Sequence, residues 1–291
     1  MEEEKIRKEV REGYAKIAKE GLCCGPTTTC CDSPVTHEEL GKKMGYTDAD
    51  LQSIPEGANL GLGCGNPVAL ASLKEGETVI DLGAGAGLDC FLAAKRVGEK
   101  GKVIGVDMTP EMLDKARENA RKGNYENVEF RLGEIEHLPV ADNTADVIIS
   151  NCVINLTLNK KQVYKEAFRA LKPGGRIMVS DLVLKKELSG AIREEAHPSS
   201  CIKTAILKGK YLKTIEEAGF KDIRILDERE YCFEELTDDP DTKVIVADRN
   251  TNTQELKSIS ELDEKSKGIV KEALASTLSI NVSAIKPTGA M

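Results

Sequence analysis

Histidine is scarce in this chain: only His37, His137 and His197 occur in 291 residues. A zinc site of mixed cysteine and histidine would therefore have to recruit residues far apart in sequence, and His37 and His137 read as solvent-facing polar residues. Positive charge is also in deficit, with 41 Lys and Arg against 49 Asp and Glu and a formal net charge of −8. No basic field is available to gather phosphates, so nucleic acid is not an expected partner. Apolar runs stay short of the ~18 residues that a membrane span needs. The charged opening stretch, residues 1–10, has no apolar segment behind it such as a secretion signal carries. These absences lead us to expect a cytoplasmic protein with no membrane partner, and nothing demands more than a monomer. Hydrophobic residues at 40% and charged residues at 31% are ordinary for a globular chain.

What the chain does have is nine cysteines. An odd count without a secretion signal argues against a disulfide scaffold and for thiols kept free as ligands or reagents. Four of them, Cys23, Cys24, Cys30 and Cys31, fall in a loop rich in glycine, proline and threonine that has no periodic apolar face. Adjacent cysteines do not easily bridge to one another, because their side chains diverge from disulfide geometry.

Residues 2–20 read as an amphipathic helix with Ile6, Val10, Tyr14 and Ile17 on one face. A short helix is expected near 38–44, followed by the turn-rich Leu60-Gly61-Leu62-Gly63-Cys64-Gly65-Asn66-Pro67. From Thr78 strands and helices alternate: strand 78–82, helix 88–97, strand 102–107, helix 110–122, strand 128–132, strand 145–150, helix 160–171, strand 176–184. Apolar strands separated by helices of that length imply an α/β protein with a doubly wound, mostly parallel sheet. The tail adds helix 211–218, strand 223–230, helix 260–275 and strand 278–285, with a polar surface excursion over 237–258. Three portions follow: an N-terminal helix and cysteine-rich arm (1–67), a nucleotide-binding-like domain (68–185) and a smaller α+β extension (186–291).

The segment Thr78-Val79-Ile80-Asp81-Leu82-Gly83-Ala84-Gly85-Ala86-Gly87-Leu88 is a buried strand running into three alternate glycines and then a helix. Glycines there let a ligand lie against backbone N–H groups. The G-x-G-x-G spacing is one residue tighter than the dinucleotide fingerprint, and no P-loop lysine follows, which favours a ligand without phosphates. The next strand ends at Asp107, placed to accept from two ribose hydroxyls. Over roughly 68–184 the sequence resembles class I S-adenosylmethionine-dependent methyltransferases. That resemblance implies a seven-stranded Rossmann-like sheet, S-adenosyl-L-methionine as methyl donor, and Glu134 and Ile135, in Gly133-Glu134-Ile135-Glu136-His137-Leu138-Pro139, beside the adenine. The expected donor contacts are Asp81, Gly83, Ala84, Gly85, Gly87, Asp107, Met108, Glu134, Ile135 and Asn151.

Three further cysteines sit where an open α/β sheet places its ligands. Cys152 ends the 145–150 strand in Asn151-Cys152-Val153-Ile154-Asn155, Cys201 follows the 176–184 strand, and Cys64 lies on the glycine-rich approach to the first. Such a trio suits trivalent arsenic, which takes three sulfurs in a pyramid, whereas structural zinc usually takes four ligands from closely spaced pairs. Each could instead be packing, as we read Cys90 and Cys232.

Together with Cys23-Cys24-Gly25, Cys30-Cys31 and the closing Ser279-Ile280-Asn281-Val282-Ser283, these motifs are similar to arsenite methyltransferases over nearly the whole chain. The resemblance implies Cys64, Cys152 and Cys201 as arsenic ligands and an N-terminal cysteine, Cys24, as redox partner of Cys64. It also implies arsenite or its thiol conjugates as substrate and thioredoxin or glutathione as reductant. One departure is Leu62, where that family often carries an aromatic residue. Two other readings stay open: a methyltransferase for a small carbon, nitrogen or oxygen nucleophile such as a quinone or sterol, and a metalloid-binding protein without activity.

Overall fold

The computed structural model describes residues 2–20, 37–195, 201–230, 243–248, 253–258 and 262–289. Cys23, Cys24, Cys30, Cys31, Cys232 and His197 lie outside the described residues.

The chain opens with α1 (Glu2–Glu20), α2 (His37–Lys43), α3 (Asp48–Gln52) and α4 (Pro67–Leu70). Strands and helices then alternate: β1 (Thr78–Leu82), α5 (Leu88–Val97), β2 (Lys102–Asp107), α6 (Pro110–Lys122), β3 (Val128–Leu132), β4 (Ala145–Asn151), α7 (Lys160–Ala170) and β5 (Leu171–Leu184). The remainder supplies α8 (Gly190–Glu195), α9 (Lys208–Glu217), β6 (Lys221–Glu230), β7 (Lys243–Asp248), β8 (Thr253–Ser258), α10 (Glu264–Ser276) and β9 (Thr277–Ile285).

Seven strands form one sheet in the order β3-β2-β1-β4-β5-β9-β6, and β7 and β8 form a separate hairpin. Pairing is parallel from β3 through β5, and β9 runs antiparallel to both β5 and β6. Successive strand residues point to opposite faces, so the sheet builds two cores at once. Ile80, Ile104 and Ile148 pack with Tyr164 and Tyr211 on one face. Val79, Val103 and Ile149 pack with Phe91 and Phe130 on the other. Each such buried aliphatic contributes roughly 1.5–3 kcal/mol, which is why the apolar strand runs were readable.

Several elements depart from the sequence expectation. Helices α3, α4 and α8 and the β7–β8 hairpin are additional, and the hairpin occupies part of the stretch read as a polar excursion. Strand β5 begins at Leu171, with its pairing to β4 shifted in register between Ala145 and Val147, so Lys172-Pro173-Gly174-Gly175 belongs to the strand's irregular start.

The winding direction reverses between β1 and β4. The crevice outside the carboxyl ends of strands at such a switch point is where open α/β sheets bind ligands. The residues that follow these two strands are Gly83 and Cys152.

Candidate active site

After β1 the chain turns through Gly83, whose φ of 75° is left-handed and whose place would bring an added Cβ within 2.5 Å of Val153. Only glycine meets both demands. The Gly83 and Ala84 amides donate to the Val106 carbonyl at 2.8 and 3.0 Å, tying the turn to β2. The Gly85 amide donates to Asp107 Oδ2 at 2.9 Å and the Thr109 amide to Asp107 Oδ1 at 2.8 Å. Both carboxylate oxygens are thereby fixed with lone pairs to spare. Burial still raises the Asp107 carboxyl above the usual range, against these hydrogen bonds.

This turn borders a cavity of about 470 Å³, a size ordinary for a small-molecule site. Of the expected donor contacts, Asp81, Gly83, Ala84, Gly85, Asp107, Met108, Ile135 and Asn151 line it. Gly87 and Glu134 are not among the lining residues. Gly87 caps α5, where a Cβ would meet Phe91 at 2.6 Å, and Glu134 pairs with Arg7 at 3.3 Å. Glu136, two positions on, lines the cavity instead and receives the other arm of Arg7 at 3.6 Å. Arg7, Ile6 and Tyr14 place α1 over the opening, and Tyr14 packs beside Leu62. The glycine backbone, the held Asp107 and the buried acids Asp81 and Asp89 opposite it fit a nucleoside bearing a cationic amino acid tail.

The three loop cysteines line the same cavity. Cys152 follows β4 with a φ of 60°, a left-handed conformation that costs a non-glycine residue on the order of 1 kcal/mol and occurs where a site demands it. Its amide donates to the Ser180 carbonyl at 2.7 Å. Cys201 stands in the turn before α9, its Sγ 3.3 Å from Cys152 Sγ and 3.2 Å from the Cys152 carbonyl oxygen. That turn is anchored by Arg193, which donates to the Lys203 carbonyl at 3.0 Å, and by the Thr204 hydroxyl, which donates to the Asn155 carbonyl. Cys64 is held through its backbone: its amide donates to Asn151 Oδ1 at 3.0 Å and its carbonyl accepts from Ser279 Oγ at 2.8 Å.

All three thiols are shifted upward. For Cys201 the hydrogen bond with Cys152 and burial both raise it; for Cys152 and Cys64 a thiol hydrogen bond pulls down, but burial and the nearby Asp181 carboxylate prevail. At neutral pH they rest as neutral thiols. Cys90 is fully buried on α5 with its thiol 3.2 Å from Asp81 Oδ2, a packing position. His137 is exposed, whereas His37 is half-buried, and burial lowers its pKa.

Sequence reasoning did not single out Tyr46, Asp89 or Asp181. Tyr46 donates to Asp89 Oδ1 at 2.7 Å, and Asn151 Nδ2 donates to Tyr46 Oη at 3.0 Å, the Gly65 carbonyl at 2.8 Å and Asp89 Oδ2 at 3.2 Å. Asn151 thus couples the acid wall of the cavity to the Cys64 loop. Asp181 on β5 is fully buried, and one of its oxygens lies within 4.8 Å of both Cys64 Sγ and Cys152 Sγ. Burial pushes its carboxyl up to about 6. Its one sequence signal is the polar Ser180-Asp181 pair inside an apolar strand.

The sheet order, the glycine turn and the acid ending β2 define a class I S-adenosylmethionine-dependent methyltransferase. Residues 73–219 match a family model described as a methyltransferase domain. An arsenite methyltransferase from Halobacterium salinarum is 48% identical over 231 residues, covering 76% of this chain and 59% of that protein. The crystal structure of an arsenic(III) S-adenosylmethionine methyltransferase from Chlamydomonas reinhardtii is similar with a TM-score of 0.62 and 31% identity, covering 89% of this chain and 76% of that one. A ubiquinone/menaquinone biosynthesis C-methyltransferase from Salmonella arizonae is 38% identical over 110 residues, only 38% of this chain. The chain belongs to the arsenite methyltransferase family. It spans about three fifths of the length of the curated relative from Halobacterium, 59%. Among the described residues, no helix is long and apolar enough to cross a membrane.

Proposed function

We propose that this chain methylates arsenite, moving methyl groups from S-adenosylmethionine to thiolate-bound As(III) and so converting it to methylated arsenicals for detoxification. The observation that supports this reading is that Cys64, Cys152 and Cys201, from three separate loops, line the cavity bordered by the glycine turn and Asp107, with Cys152 Sγ 3.3 Å from Cys201 Sγ and within 4.8 Å of Cys64 Sγ.

The donor supplies an electrophilic methyl group on a sulfonium. Gly83, Gly85 and Asp107 would hold its nucleoside, Ile135 would lie against the adenine, and Asp81 and Asp89 would face its amino end. Arsenite enters as the trihydroxide. Three As–S bonds form as three As–O bonds break, and each thiol proton leaves with a hydroxide as water. The thiols then aim the arsenic lone pair at the methyl carbon. Alignment is the main contribution of the chain, since near-attack positioning is worth up to ~7–11 kcal/mol. No proton leaves arsenic, so no base is needed for the transfer itself. The product arsenic is formally pentavalent; two thiols closing to a disulfide return two electrons to it, and thioredoxin or glutathione restores the thiols. Cys24 is the proposed partner of Cys64 in that disulfide. We further propose that the protein acts in the cytoplasm as a monomer.

The test is incubation of the pure protein with arsenite, a thiol reductant and methyl-labelled donor, followed by separation of arsenic species. Label in methylated arsenicals is the expected result. Label in no arsenic compound overturns the reading, and arsenite retention without label identifies a binding protein.

A further inference from the structure

One group at the thiol mouth is not used in the methyl transfer proposed above. The Asp181 carboxylate is fully buried; its Oδ2 accepts from the Tyr211 hydroxyl at 2.9 Å and its Oδ1 from the Leu182 amide at 3.0 Å. The Asn155 backbone also hydrogen-bonds to this carboxylate, so three donors occupy its four lone-pair positions and one stays open. Lys160 is the nearby counter-charge, but its ammonium already donates to the Thr157 carbonyl at 2.9 Å. Cys64 Sγ, Cys152 Sγ and an Asp181 oxygen lie within 4.8 Å of one another. Around tetrahedral zinc, with bonds of ~2.0–2.3 Å, ligand atoms stand roughly 3.5–3.8 Å apart, so contraction by about 1 Å completes such a site.

The ligand chemistry sorts by softness. Thiophilic As(III) gains little from a carboxylate, whereas borderline divalent cations accept sulfur and carboxylate oxygen together. Cys201, 3.3 Å from Cys152, stands outside the Cys64–Cys152–Asp181 group.

We propose that Cys64, Cys152 and Asp181 form a binding site for a borderline-soft divalent cation of the zinc type, mutually exclusive with arsenite. The proposal rests on the arsenite reading above for its competitor, while the cation site stands on its own geometry. On binding, two metal–sulfur bonds form, the two thiol protons pass to solvent, and hydration waters leave the cation; nothing is oxidised. The fourth position faces the cavity and is filled by water. Arsenite and the cation share Cys64 and Cys152 but differ in the third ligand, Cys201 for arsenic and Asp181 for the cation. Zinc-type cations are therefore inhibitors competitive with arsenite and not with the methyl donor.

The experiment uses the full chain with Cys23, Cys24, Cys30 and Cys31 replaced by serine, reduced with a phosphine, so that other thiol pairs do not report. Cadmium is the probe, read by its thiolate charge-transfer absorption, and arsenite is counted as bound arsenic. One cadmium per chain, displaced by arsenite, is expected. Asp181→Asn should weaken cadmium at least about tenfold, the scale of losing a ligand or its support, and leave arsenite little changed. Cys201→Ser should do the reverse, and Cys152→Ser should abolish both. Cadmium binding that survives Cys152→Ser, or that ignores Asp181→Asn, overturns the proposal. X-ray absorption at the zinc edge on the unsubstituted site needs no folded variant: two sulfurs with oxygen neighbours support the site, and three sulfurs overturn it. If cadmium behaves as stated but arsenite does not bind, the arsenite reading fails and the cation site stands.

Discussion

Cys152 Sγ and Cys201 Sγ stand 3.3 Å apart although 49 positions separate them in the chain. The contact exists because β4 and β5 are neighbours in the sheet and both loops leave its carboxyl edge. Serine at either position preserves size and hydrogen bonding but not affinity for a soft atom. Cys152→Ser or Cys201→Ser should each lower methylarsenical formation by roughly 100-fold or more, the scale on which misplacing a reactant acts. Donor binding should be unchanged. Arsenic speciation and calorimetry with S-adenosylhomocysteine check the two halves.

Asp107 is the corresponding anchor proposed for the donor side, and it is held by the Gly85 and Thr109 amides. Hydrogen bonds to a charged group are worth ~1.5–3 kcal/mol, so Asp107→Ala should weaken S-adenosylhomocysteine roughly 10- to 100-fold. Asp107→Asn should lose less, because one carbonyl acceptor remains. Equal affinity in all three proteins would remove Asp107 from the donor site.

Those two regions were also the most legible in the sequence, and for a physical reason. The Gly83-Ala84-Gly85 turn and the acid ending β2 are local patterns, set by φ requirements and strand length within about thirty residues. The end of β4 likewise follows from an apolar run, which placed Cys152 at the sheet edge. The unread part is long-range: Tyr46 reaches Asp89 across 43 positions, and Asn151 reaches Tyr46 across 105. Nothing in the local chemistry of Tyr46 distinguishes a buried partner from a surface residue, and the polar Ser180-Asp181 pair marks an irregularity in an apolar strand without saying what it faces. The insertion of β9 between β5 and β6 is of the same kind, since an antiparallel strand in that slot is decided by edge pairing and not by its own pattern.

Tyr14 shows how a helix read correctly from periodicity acquires a second task. It lines the cavity proposed for the donor, as Leu62 does, and its phenol is raised first by burial and then by the surrounding thiols and Asp107. Loss of the ring exposes apolar surface worth roughly 1 kcal/mol when half-buried. Tyr14→Ala should therefore weaken donor binding several-fold, and Tyr14→Phe should restore it if packing is the contribution. Titration calorimetry with S-adenosylhomocysteine separates the two.

Asn151 satisfies the Cys64 amide, the Gly65 carbonyl, Tyr46 and Asp89 at once. Truncation strands these buried groups at ~1–3 kcal/mol. Asn151→Ala should lower the melting temperature by roughly 2–4 °C per kcal/mol lost and reduce arsenite capture through the displaced Cys64 loop. Asn151→Asp sets a second buried carboxylate against Asp89, whose own carboxyl burial already raises. Groups with raised folded-state values favour the fold below their unfolded values and lose that contribution as pH rises. The aspartate variant should thus be closest to the parent near pH 4 and fall further behind toward pH 7, as thermal melts across that range would show.

The thiols supply the last expectation, because their upward shift has a kinetic sign. Only thiolate reacts with alkylating agents. Cys201 is held well above the ordinary thiol value by its hydrogen bond with Cys152, burial and Asp181, and Cys152 by its hydrogen bond with Cys64, burial and Asp181 against the opposing pull of Cys201, so thiolate is a small fraction across the neutral range. Their alkylation rates should therefore climb about tenfold per pH unit from 7 to 9 without levelling, whereas an unperturbed cysteine bends over near pH 8.5. Arsenite capture should not follow that slope, since condensation of a neutral thiol with the trihydroxide expels water and consumes no base. Peptide mapping after timed iodoacetamide exposure gives the first profile and bound-arsenic counting the second. A plateau in the alkylation profile below pH 8 would mean that a cation at the mouth lowers the thiols, with Lys160 as the first group to substitute.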